Sequence, residues 1–222
     1  MKLNESKGNM YDFVTHTGNA IKGQCYHDCS YCYMKKWKHL KPVRLDEKEL
    51  STPMDEGNFI FVGSSCDMFA DNIPSEWIEK VLRYCSQFDN EYLFQSKDTF
   101  NIYRSIPILP KKSVICTTIE TNRNYPQIMN NSPHPSDRAR YMTLIRGLQC
   151  KRYVTIEPIM AFDLDEMVRL IELCMPDQVN IGSDSGGHKL PEPTGNEIRQ
   201  LISELEKFTK VKQKSNLKRL LK

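Results

Sequence analysis

Phe59-Ile60-Phe61-Val62-Gly63-Ser64 opens the part of the chain that decides the fold. Two phenylalanines and two β-branched residues run together with no polar alternation, then stop at a glycine and a serine. That is the composition of a strand covered on both faces. Downstream, Pro74 to Phe88 places Trp77, Ile78, Val81, Leu82, Cys85 and Phe88 at helical spacing. Tyr92-Leu93-Phe94-Gln95-Ser96 then reads as a second apolar strand. Strand, helix, strand is the unit of a parallel sheet.

The alternation extends both ways. Phe13 to Thr17 precedes it, and Val114 to Ile119, Tyr153 to Ile159 and Gln178 to Gly182 follow. Helices are expected from Ser136 to about Gln149 and from Asp163 to Met175, the latter with Asp163 as N-cap. Thr194 with Glu197 forms a capping-box pattern ahead of a stripe of Ile198, Leu201, Ile202, Leu205 and Phe208. A complete eight-unit barrel takes ~250 residues. Six strands in 222 residues predict a partial (β/α)6 TIM-like barrel with parallel strands, a doubly wound open sheet being the alternative. Either architecture puts the functional site at the C-terminal strand ends. The polar, proline-interrupted segment Thr121 to Pro135 follows the fourth strand. It is expected to be a lid over that mouth or an ordinary surface insertion.

Hydrophobic residues make up 39% and charged residues 27% of the chain, ordinary for a globular protein. No apolar run approaches a membrane span, and Met1 to Lys7 lacks the apolar region of a secretory signal, so the expected location is the cytoplasm. Charge is uneven. Of 31 Lys and Arg, seven fall in residues 207–222, which contain no Asp or Glu. The expected division is a domain over 1–206 and a basic tail over 207–222, with nucleic acid as a candidate partner of the tail.

Eight cysteines in a reducing compartment argue for buried thiols or metal ligands, not disulfides. Cys66, Cys85, Cys116, Cys150 and Cys174 are scattered through predicted core elements, and Trp37 and Trp77 also read as core. Cys25, Cys29 and Cys32 are packed into Cys25-Tyr26-His27-Asp28-Cys29-Ser30-Tyr31-Cys32. Three clustered thiolates suit an iron–sulfur cluster, zinc or copper(I). Structural zinc would need a fourth protein ligand, and His27 is too close to Cys29 in sequence to supply it without strain. A 4Fe-4S cluster held at three corners keeps one iron open to S-adenosylmethionine.

Cys25-x3-Cys29-x2-Cys32, with Tyr31 before the last cysteine, resembles the signature of the radical S-adenosylmethionine superfamily. Thr15-His16-Thr17-Gly18-Asn19, Val62-Gly63-Ser64-Ser65-Cys66-Asp67-Met68-Phe69, Ile156-Glu157-Pro158 and Ile181-Gly182-Ser183-Asp184-Ser185-Gly186 resemble a phage-associated branch of it. The resemblance implies a partial barrel, a 4Fe-4S cluster on Cys25, Cys29 and Cys32, and S-adenosylmethionine cleaved by an electron from an external donor. It places Tyr31 against the adenine and Gly63, Ser64 and Ser65 at the methionyl amino group. Here the usual acidic member of that motif is missing. Glu120 would meet the ribose hydroxyls and Lys97 a carboxylate, with Glu157 and Asp184 on the same rim. A strand-end carboxylate can equally pair with Arg123 or Arg138. The expected substrate class is nucleic acid or nucleotide. Two other readings stay open: a zinc-stabilised nucleic-acid-binding module, and a non-catalytic protein that binds the cluster as a sensor or partner.

Overall fold

A computed structural model describes residues 1–37, 39–145 and 150–222. Its strands are β1 (Leu3–Glu5), β2 (His16–Gly18), β3 (Ile21–Lys22), β4 (Arg44–Leu45), β5 (Phe59–Val62), β6 (Glu91–Gln95), β7 (Ser113–Thr118), β8 (Lys151–Ile156), β9 (Gln178–Ile181) and β10 (Lys210–Gln213). The main sheet runs β1-β2-β5-β6-β7-β8-β9-β10, and β3 pairs β4 in a separate ribbon. β1 is antiparallel to β2, and every other neighbouring pair in the main sheet is parallel. All six strands expected from composition are present. β7 and β9 are buried at every residue, as strands covered on both faces must be.

The sheet is curled. Phe13, just before β2, meets Tyr153 of β8 edge to face with ring centroids 5.4 Å apart. Four strand spacings separate β2 from β8, roughly 19 Å in a flat sheet. Only a sheet bent into a partial barrel brings those rings together. Tyr11, Phe13, Phe59, Phe61, Leu93, Val114 and Tyr153 form the small cluster inside the bend. Residues 9–13 cross towards β10: Lys212 Nζ lies 3.1 Å from Asp12 Oδ2 and the Lys214 ammonium lies 4.6 Å from the Tyr11 ring centroid.

The helices are α1 (Glu47–Ser51), α2 (Ser75–Cys85), α3 (Thr99–Ser105), α4 (Pro126–Met129), α5 (Pro135–Leu144), α6 (Leu164–Leu173) and α7 (Gly195–Leu205). In α2 the predicted stripe is turned inward, with Ile78, Val81, Leu82 and Cys85 buried. α7 opens on the expected capping box: Glu197 N–H donates to Thr194 Oγ1, and Thr194 N–H to Glu197 Oε2. Asp163 precedes α6 but does not cap it with its side chain. Its carboxylate is instead taken by Arg123 at 2.7 Å and Asn122 at 3.2 Å. The C-terminal end expected for α5, up to Gln149, falls on residues 146–149, outside those described.

Two expectations need correction. Residues 207–222 are not a tail: β10 adds a seventh parallel strand against β9, and Leu217 is fully buried. Val211, Leu217 and Leu220 tie the segment to the core, and the lysines around them hid these few apolar residues. Trp37 is not core, being 59% exposed. No helix among the described residues is long and apolar enough to cross a membrane.

Candidate cofactor site around the cysteine loop

The three clustered cysteines lie on the loop that leaves β3 and ends in the short 3-10 turn Tyr33–Lys36. Gly23 starts it with φ +128°, and a Cβ there would meet Pro42 O and Val43 Cα at 2.7 Å. The close approach lets Gln24 N–H donate to Lys41 O at 2.9 Å, which anchors the base of the loop. Cys32 N–H then closes a tight turn on Cys29 O at 3.1 Å.

The segment expected to be a lid or a surface insertion is a brace on this loop. Ser30 N–H donates to Ile128 O at 2.9 Å. Asn130 Nδ2 donates to Asp28 O at 2.5 Å and Asn131 Nδ2 to Tyr26 O at 2.9 Å. Ser132 Oγ lies 3.3 Å from Cys29 Sγ. Loop carbonyls that would otherwise face water are thus satisfied by one neighbouring segment.

Beneath the loop is a buried charge network. Lys97, following β6, places Nζ 2.9 Å from Cys29 Sγ, 2.5 Å from Tyr31 Oη and 3.0 Å from Glu120 Oε1. Tyr31 Oη donates to the same Glu120 oxygen. Arg138 Nη1 donates to Glu120 Oε2 at 2.7 Å and to Thr118 O at 2.8 Å, while its Nε donates to Pro133 O at 2.7 Å. Glu120 and Arg138 are both 0% exposed. Burial opposes ionisation of Glu120, but Arg138 and Lys97 outweigh it and hold its pKa at about 2. Burial also opposes the Cys29 thiolate, yet the Lys97 ammonium pulls its pKa below the ordinary value.

A second link ties loop to strand ends. His27 Nε2 lies 2.8 Å from Asp67 Oδ2, and the same oxygen accepts from Ser96 Oγ at 2.8 Å and Lys97 N–H at 3.0 Å. Burial works against charged His27, and the Asp67 carboxylate reverses that, raising its pKa. Gly63, Ser64 and Ser65 end β5, where Asn19 Oδ1 accepts from Ser65 N–H and Ser65 Oγ, each at 2.9 Å. Ser64 O accepts from Tyr33 Oη at 2.8 Å.

Cys29, Tyr31, Lys97 and Glu120, each singled out separately in the sequence, touch one another through Lys97. Glu120 has no open face, because Arg138, named beforehand as an alternative partner, fills one side of its carboxylate. Glu157 and Asp184 follow β8 and β9 in a separate group. Glu157 Oε1 accepts from Asn9 at 2.7 Å and Asn216 at 2.9 Å, and its Oε2 from Lys214 at 2.6 Å. Asp184 Oδ1 lies 2.6 Å from His188 Nδ1. Asn19, Asp67, Lys214 and Asn216 were missed. Asn19 and Asp67 sat inside motifs quoted for other residues. Lys214 and Asn216 sat in the supposed tail.

The donor set fits an iron–sulfur cluster. Cys25, Cys29 and Cys32 share one loop; Cys25 and Cys29 are shifted towards thiolate, Cys25 chiefly by the neighbouring Cys66 thiol, while burial pushes the Cys32 thiol up. Among the described residues no three His, Cys, Asp or Glu side chains are grouped to hold a single metal ion.

No family model and no curated protein matches this chain. Its fold is similar to that of solved structures. A cysteine-to-serine mutant of spore photoproduct lyase aligns with TM-score 0.61 over 91% of this chain and 64% of that one, at 15% identity. Another mutant, with bound AdoMet and dinucleoside spore photoproduct, aligns with TM-score 0.59 over 90% and 64%, at 13% identity. Methylornithine synthase aligns with TM-score 0.57 over 88% and 63%, at 13% identity. The chain thus spans a little under two thirds of the chain length in these three structures.

Proposed function

We propose that this chain is a radical S-adenosylmethionine enzyme, with a 4Fe-4S cluster on Cys25, Cys29 and Cys32 and S-adenosylmethionine on the adjoining strand ends. The observation that carries the reading is a braced three-thiol loop on the C-terminal rim of a partial barrel, with Lys97 against one thiol. Spore photoproduct lyase and methylornithine synthase, which share the fold, are both radical S-adenosylmethionine enzymes. A 4Fe-4S cluster held by Cys25, Cys29 and Cys32 would supply one-electron reductive cleavage of S-adenosylmethionine.

The chain's own residues set the stage. Lys97 favours the Cys29 thiolate needed for metal binding. Glu120 and Arg138 fix the position of Lys97 and Tyr31, so Glu120 acts on ligands through those neighbours. Asn19 fixes the backbone and hydroxyls of Ser64 and Ser65, beside Gly63, at the place assigned to the methionyl group. Glu157 and Asp184 line the far half of the rim. The phage-associated branch rests on the sequence motifs alone.

A nucleic acid or nucleotide is the substrate class we favour, supported by the dinucleoside in the fold neighbour. The test is anaerobic reconstitution with iron and sulfide, reduction, and incubation with S-adenosylmethionine and a panel of oligonucleotides and nucleotides. 5′-Deoxyadenosine formed in wild type and absent in Cys29→Ala supports the enzyme. Stimulation by one class of the panel assigns the substrate, and equal yields across the panel count against nucleic acid.

A further inference from the structure

The wall beside the mouth carries a surface that the proposed chemistry leaves unassigned. α3 turns Thr99, Ile102 and Ser105 inward, which leaves Phe100, Tyr103 and Arg104 on its other side. α5 buries Pro135, Arg138, Ala139 and Met142, which leaves Arg140 and Tyr141 turned away from the core. The two helices lie side by side, and Thr99 Oγ1 donates to Arg138 O at 2.9 Å. Their outward faces therefore join. Phe100 and Tyr141 meet with ring centroids 5.0 Å apart. The Arg104 guanidinium lies 5.7 Å from the Phe100 centroid, and that of Arg140 lies 6.0 Å from the Tyr141 centroid.

Phe100 is 41% and Tyr103 39% exposed. Single exposed aromatics need no explanation, but a grouped set marks a contact site. Both arginines are exposed and free to take a ligand charge. Among the described residues the ion pairs engage Arg83, Arg123, Arg138 and Arg219, and neither Arg104 nor Arg140. The single carboxylate of the two helices, Asp137, sits on the first turn of α5, so the outward face is net positive. Its placement ties it to the mouth. α3 starts straight after Lys97, with Asp98 Oδ1 accepting from Asn101 N–H at 3.2 Å. α5 follows the brace, whose Ser132 Oγ lies 3.3 Å from Cys29 Sγ. A linear ligand that leaves the mouth on this side crosses the rings and the arginines.

Resting on the nucleic-acid reading above, we infer that the face built by Phe100, Tyr103, Arg104, Arg140 and Tyr141 holds the single strand that flanks the target nucleotide. Bases lie against the rings and phosphates against the two guanidinium groups. Every base has a face that can stack on an aromatic ring, and fixed cations follow the backbone, so the face needs no particular sequence. A duplex offers the arginines its phosphates but keeps its base faces stacked on one another. An acidic protein segment would use the same arginines, but it gives no reason for the face to start at a mouth proposed to take a nucleotide.

The test uses the full reconstituted chain, the charge reversal R104E/R140E, and Phe100→Ala as a second, uncharged probe. Binding of a short fluorescein-labelled oligothymidylate, of a duplex of equal length and of polyglutamate is followed by anisotropy across salt concentrations. 5′-Deoxyadenosine formed under dithionite is measured with and without the oligothymidylate. The inference expects wild type to bind the single strand more tightly than the duplex. R104E/R140E should weaken single-strand binding at least tenfold and make the slope of log K against log salt shallower by about 1.4, the share of two phosphate contacts. Phe100→Ala should weaken it about fivefold or more with the salt slope unchanged, as loss of one stacked base predicts. In both variants 5′-deoxyadenosine formed without nucleic acid should stay at the wild-type yield. Single-strand binding equal to wild type in both variants would overturn the inference, as would no oligothymidylate binding by wild type. Polyglutamate binding lost in R104E/R140E with single-strand binding intact would also overturn it and assign the face to an acidic protein. Single-strand binding that behaves as expected in a wild type that forms no 5′-deoxyadenosine would support the face and overturn the enzyme reading instead.

Discussion

The Lys97 ammonium stands 2.9 Å from the Cys29 sulfur and joins the cysteine loop to the buried Glu120 carboxylate, 3.0 Å away on its other side. One lysine thus couples a prospective metal ligand to the charge network of the barrel mouth.

Lys97→Met should raise the pH at which Cys29 becomes nucleophilic. In wild type, burial disfavours the thiolate and Lys97 outweighs it. Without the ammonium, burial acts unopposed by that charge, and the apparent pKa of Cys29 should rise. Alkylation of the cluster-free protein across pH, read at the Cys29 peptide by mass spectrometry, measures this. An unmoved Cys29 profile would show that the contact has no electrostatic weight.

Arg138→Met should destabilise the fold. The guanidinium is fully buried and serves Glu120, Thr118 O and Pro133 O together. Removing it leaves a buried carboxylate short of its main partner, a loss of about 3–5 kcal/mol. Urea unfolding of the cluster-free protein reads the change. A loss below about 1 kcal/mol would mean that Lys97 alone suffices for Glu120.

The same pair predicts a pH dependence. Glu120 is held at about 2 from an ordinary 4.5. A depressed carboxylate stabilises the fold fully above its unfolded pKa and loses that contribution as pH falls towards the folded value. The stability gap between wild type and Glu120→Gln should therefore be widest near neutral pH and narrow between about 4.5 and about 2. A gap constant across that window would contradict the ionised state of Glu120.

Asn131→Ala should loosen the cysteine loop without unfolding the barrel. Its amide donates to Tyr26 O, and losing one such bond costs about 1 kcal/mol. Hydrogen exchange should quicken over residues 25–32 and stay unchanged in β7 and β8. Unaltered exchange in the loop would return residues 121–135 to the status of a surface insertion.

The barrel was legible in the chain because strands buried on both faces advertise themselves. Phe59 to Val62 and Val114 to Thr118 have no polar face to confuse the pattern. β10 was hidden for the opposite reason: an edge strand alternates, and Lys210, Lys212 and Lys214 outvoted Val211. The cysteine loop was legible through spacing alone, since three cysteines within eight residues must share one short stretch of backbone. Its supports were not. Asn130 and Asn131 lie about a hundred residues away, and nothing in their own sequence says which carbonyls they reach. Glu120 was found because it ends a strand. Its engagement by Arg138 depended on how α5 packs under β7, which strand order by itself leaves open.

The most direct test of the central claim is the iron content and electron paramagnetic resonance spectrum of the anaerobically reconstituted chain. The account predicts about four irons per chain, a spectrum of the reduced protein that changes when S-adenosylmethionine is added, and loss of both in Cys29→Ala. A protein that takes up one zinc and no iron, or a reduced spectrum indifferent to S-adenosylmethionine, would contradict it.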